Sequence, residues 1–100
     1  MNYQMKQITV DAILKVINNS PIKTYNNDFS RITRDVFEKW VKYANSILDV
    51  FYDNNSIAID IINTKNRILS ISLDSNDYPY KIVQINQVLL DLANKIFYNF

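Results

Sequence analysis

Not one glycine occurs in the 100 residues of this chain. Every left-handed or tight backbone position must therefore be taken by another residue. Asn and Asp tolerate that backbone best, and Ser and Pro serve the remaining turns. Glycine-dependent phosphate loops and dinucleotide fingerprints are excluded by the same absence.

Cysteine and histidine are missing too. Zinc fingers, iron–sulfur clusters, thiol redox chemistry, disulfide scaffolds and Ser–His or Cys–His nucleophiles fall away with them. No cofactor is expected. The opening residues, Met1 to Gln7, lack a charged head before an apolar core and do not read as a secretory leader. No apolar run exceeds three residues, so no membrane span is expected and a cytoplasmic location is the default. The length suits one domain over residues 1–100, with enough apolar content (48 %) for a core of its own. The bias toward Asn, Ile, Lys and Tyr is common where coding DNA is AT-rich, as in many bacterial, phage and viral genomes.

Periodicity orders the chain. Val10, Ile13, Leu14 and Ile17 share one helix face, so a helix is expected over 9–19 with Thr9 as its cap. Residues 20–28 read as a polar connection, too long for the tight turn of a DNA-reading helix-turn-helix. From Phe29 to Tyr52 a 3.6-residue period sets Ile32, Val36, Phe37, Trp40, Tyr43, Ala44, Ile47, Leu48 and Phe51 against a charged face. Asp28 or Ser30 would cap that helix. A rival reading gives Ile47–Asp53 to a strand, with Asp53-Asn54-Asn55 as a turn.

Next, Ile57, Ile59 and Ile61 alternate with other residues, as do Leu69, Ile71 and Leu73. Alternation of this kind predicts two half-buried antiparallel strands joined by Thr64-Lys65-Asn66, with Asn66 left-handed. Asp74 to Asp77 breaks the strand. A last helix is expected from about Lys81 to Tyr98, with Ile82, Ile85, Leu89, Leu92, Ala93 and Ile96 as its stripe and Val83, Leu90, Phe97 and Val88 on its flanks. So wide an apolar arc requires a central position or a second chain. The expected fold is α+β in the order α-α-β-β-α. It is a two-layer domain with helices on the Ile/Leu face of an antiparallel hairpin, or of a three-stranded meander if 47–53 is a strand.

Three function classes follow. The first is a non-enzymatic protein-binding module, the sort of small motif-free chain by which a phage or mobile element inhibits a host defence protein. Tyr25, Tyr78 and Tyr80, placed in loops, are its candidate anchors. The second is a small nucleic-acid-binding regulator using Arg31, Arg34, Lys39 and Lys42 on the 29–52 helix. The net charge of +1, and Asp35 and Glu38 among those cations, weigh against it. The third is a carboxylate-dependent enzyme, for which only Asp49, Asp53 and Asp60 stand out. Their simpler reading is as polar edges of amphipathic elements, so no enzyme is expected. A homodimer is a further expectation, through an open strand edge or the last helix.

Overall fold

The computed structural model describes residues 1–54 and 56–100. Among them there is no strand, and the expected α+β fold is replaced by an all-helical one. Helix α1 spans Tyr3–Asn18, the short α2 spans Pro21–Thr24, α3 spans Arg34–Val50, α4 spans Ala58–Ser72 and α5 spans Tyr78–Asn99. A single 3₁₀ turn, Phe29–Arg31, precedes α3.

The correction lies in residues 57–73. Ile57, Ile61, Thr64, Ile68 and Ile71 follow one another at steps of four and three. They form a helix face as well as contributing to two alternating strands. That face is the buried one: Ile57, Ile61 and Ile68 are fully enclosed and Thr64 nearly so. The strand pattern's other members are not; Ile59 is 73 % exposed and Leu73 77 % exposed. A two-stranded hairpin leaves both edges of its backbone unpaired, whereas a helix satisfies its interior groups within itself. Thr64-Lys65-Asn66 runs through the helix without a turn. The left-handed residues are instead Asn26 and Asn27, at φ 51° and 64°. They close the 20–28 connection, where the Asn27 N–H donates to the Ile22 carbonyl at 2.9 Å.

The other boundaries shift for local reasons. Asn2, not Thr9, caps α1, accepting from the Met5 N–H at 2.8 Å. Thr9 lies buried in mid-helix, its hydroxyl donating to the Met5 carbonyl. Thr33 caps α3 through the Val36 N–H, so the expected helix over 29–52 is interrupted at Ile32–Thr33. The Asp28 carboxylate accepts instead from Ser30 in the 3₁₀ turn. Residues 47–50 continue α3, as the helix reading of 29–52 expects, and the rival strand there is absent; the turn which that rival assigned to Asp53-Asn54-Asn55 lies partly outside the described residues, at Asn55. Asp77 caps α5 by accepting from the Tyr80 N–H at 3.1 Å. Pro79 occupies the first turn, where its missing N–H costs nothing.

Helix α5 is the axis. It contacts α1, α2, α3 and α4, and its stripe of Ile82, Ile85, Leu89, Leu92, Ala93 and Ile96 is buried as expected, with Val88 beside it. Val83, Leu90 and Phe97 stay partly exposed. Trp40 crosses from α3 to α1, and its indole N–H donates to the Val16 carbonyl at 3.1 Å. The radius of gyration, 13.5 Å, is near the value of about 13 Å for a compact domain of this length.

Two substitutions test this packing. Trp40→Ala is expected to cost about 3–5 kcal/mol in urea unfolding, through cavity formation in the core. Ile61→Ala is expected to cost about 2–5 kcal/mol, while Ile59→Ala at low protein concentration stays within about 0.5 kcal/mol. Comparable losses at positions 59 and 61 would return the hairpin.

Candidate functional site

The first turn of α5, the last turn of α4 and one face of α3 enclose a groove of about 460 Å³. Its chemistry is set by Lys81. On the projection of α5, Lys81 stands in line with Ile85, Val88 and Leu92, on the buried arc and away from the polar one. The residue is only 3 % exposed. Its ammonium donates to the Ser72 carbonyl at 2.6 Å. That carbonyl belongs to the last turn of α4, the negative end of the helix dipole. The ammonium also lies 5.3 Å from the Phe37 ring and 5.2 Å from the Tyr78 ring, within cation–π range. Those two rings tilt against each other at 5.4 Å.

Lysine has three N–H donors, and Ser72 takes one. Among the described residues no carboxylate lies within 4.0 Å of the Lys81 ammonium. Glu38 and Asp74 line the same groove but form no ion pair with it, and a buried cation without a direct ion pair is unfavourable; two aromatic faces and one carbonyl offset only part of its desolvation. Asn45 adds a second unsatisfied group to the wall, a buried Oδ1 with no hydrogen-bond partner. At the rim stand Lys42, Leu73 and the Arg34–Glu38 pair, whose Nε and Oε1 are 2.9 Å apart. The hydrogen bond to Glu38, and then its charge, hold the Arg34 guanidinium above its already high ordinary pKa, so it stays cationic.

Three of the seven expected site residues, Arg34, Lys42 and Tyr78, therefore meet in this groove. Tyr78 opens a helix and is not in a loop. Tyr25 is half-buried under the Arg31 guanidinium, 4.4 Å from its ring centroid, and lines a separate depression with Lys39 and Trp40. Tyr80 is 57 % exposed on α5. Arg31 lies in the 3₁₀ turn before α3, so the four cations do not share one helix. Lys39 and Lys42 stand with Asp35 and Glu38 around a shallow hollow.

Two of the three expected carboxylates, Asp49 and Asp60, are engaged elsewhere. Asp49 pairs with Lys65. Asp60 turns toward α5 and meets Lys95 at 2.5 Å. No cluster of three or more acidic residues among the described residues is placed to hold a metal. Nor is any described helix long and apolar enough to cross a membrane. No known protein family, curated protein or solved structure matches the chain.

Lys81 and Phe37 went unsingled in the sequence. The available signal was a lysine spaced four, seven and eleven residues from buried positions of its own helix. Its burial generates a sharp expectation. If its charge is not kept for stability, Lys81→Met will be neutral or stabilising by up to about 2 kcal/mol, because the methionine fills the site without a desolvated ammonium. Water can take over the Ser72 carbonyl. Chemical denaturation decides this: a loss above about 1.5 kcal/mol would make Lys81 a cap for α4 and nothing more.

Proposed function

We propose that this chain is a non-enzymatic protein-binding module, of phage or mobile-element origin, that inhibits a host defence protein in the host cytoplasm. It does so by seating an acidic side chain of that protein in the groove between α3, α4 and α5. The observation that carries this reading is the buried Lys81 ammonium with no carboxylate within 4.0 Å among the described residues. A partner's Asp or Glu would supply the missing counter-charge and accept from a free N–H donor. Phe37 and Tyr78 form an apolar collar around that contact, and exposed Leu73 adds rim area of the kind that shields an interface hot spot from water. The small size and AT-biased composition support the proposed origin.

The nucleic-acid reading has weaker support. Its cations are divided between two elements, and Arg34 is already tied to Glu38.

The test is capture of the partner from nuclease-treated host lysate by tagged wild-type chain, Lys81→Met and Lys42→Glu, each checked for native circular dichroism. Wild type should retain one protein through nuclease. Lys81→Met should weaken its binding at least tenfold, or about 1.4 kcal/mol. Lys42→Glu should weaken it less, and its deficit relative to wild type should shrink as salt rises. Equal capture by Lys81→Met would reject the groove. Loss of all partners with nuclease would transfer the function to nucleic acid.

A further inference from the structure

The outward face of α4 has no role in the core or in the groove's buried part, and its composition is unusual for a surface. Ile59, Ile62, Asn66, Leu69 and Leu73 recur at steps of three and four along the whole helix. All five are exposed: Ile59 73 %, Ile62 41 %, Leu69 57 %, Leu73 77 %, and Asn66 in the exposed class. Ala58, Asn63 and Ser70 lie beside this stripe and Lys65 and Arg67 flank it, so the stripe itself carries no charge across four turns. A solvated helix face is ordinarily the charged one. This is the a/d spacing of a helix that packs against another helix, with one polar residue at a central a position.

We propose that this face binds a second copy of the same chain, α4 against α4 across a two-fold axis at Asn66. Two observations select a copy over a foreign partner. A two-fold contact sets each patch against itself, so charges in it would meet their own sign. This face has none. The cations flanking it are neutralised within the chain, Lys65 by Asp49 and Arg67 by Asp91 at 3.8 Å. The second observation is symmetry. Asn66 is the middle member of the stripe, with two large apolar residues on either side. A two-fold axis there brings the two amides together, where each can donate to the other, and covers apolar side chains with apolar side chains. A central Asn at such a seam fixes register and copy number in paired helices. Beside it, Tyr52, Ile62, Asn66 and the Asp49–Lys65 pair border a hollow of about 300 Å³, which continues the surface onto the end of α3.

The chain's lack of cysteine supplies a clean test. A disulfide needs Cα atoms about 4.4–6.8 Å apart, so a single Asn66→Cys reports directly on whether position 66 meets its copy. Under mild oxidation Asn66→Cys should crosslink nearly completely to a dimer, while Asp11→Cys on α1 crosslinks only in traces. In sedimentation equilibrium the wild type should dimerise at micromolar concentration. Leu69→Lys should weaken the dimer at least a hundredfold with unchanged circular dichroism. Leu73 also lines the groove, so the variants avoid it, and capture of the host partner serves as an independent readout. A wild type that stays monomeric to about 1 mM overturns the proposal. So does a dimer indifferent to Leu69→Lys, or one in which Asn66→Cys fails to crosslink.

Discussion

Everything in this molecule leans on the apolar arc of α5. A helix with an arc wider than one neighbour can cover is insoluble alone, and the other elements are arranged to enclose it. Helix α1 takes one side, α4 another, and α3 closes the end where Lys81 emerges. The ion pairs between α4 and α5, Asp60–Lys95 and Arg67–Asp91, lie at the margin of that contact. The exposed Arg67–Asp91 pair contributes at most about 1 kcal/mol, so it orients α4 more than it holds it. Apolar area removed from water, at roughly 25 cal/mol per Å², is the dominant favourable term.

What could be read from the sequence depended on whether one periodicity or two fitted the residues. In α5, and in α3 up to the rival strand reading that begins at Ile47, only the 3.6-residue period fits, and the buried stripe and the core position of Trp40 were legible. In α4 two periods fit at once. Ile57 and Ile61 belong to both the strand pattern and the helix pattern, and the tie was broken by Thr64, which the strand reading had consigned to a loop. Threonine packs as a small apolar side chain once its hydroxyl is satisfied, and a purely apolar count overlooks it. The tie is settled by tertiary structure: α5 needs a covering helix, and local alternation carries no information about that need. The caps failed in the same way. Asn2 and Thr33 cap α1 and α3, Asp28 caps only the 3₁₀ turn and Thr9 caps nothing, because which of several good caps is used depends on where the chain must turn.

The site was half legible. Arg34, Lys42 and Tyr78 were singled out for charge and aromaticity and prove to share one groove. Their convergence joins elements more than thirty residues apart in sequence, and that distance is a property of the fold alone. Lys81 was hidden by its own class: a lysine is read as surface until its helical phase is compared with that of Ile85, Val88 and Leu92. Buried at the end of α4, it links the caps of two helices to the chemistry of the groove. The Ser72 carbonyl that ends one helix anchors the cation that begins the next.

The bond from Trp40 to the Val16 carbonyl has a use beyond stability. The chain has one tryptophan, it is 5 % exposed, and its indole is fixed to α1 from α3. Its emission therefore reports on a single joint, the docking of α1 on α3. The protein thus carries a built-in optical probe of core closure, set on α3 between the groove residues Phe37 and Val41. Unfolding can be followed through it in an unlabelled sample.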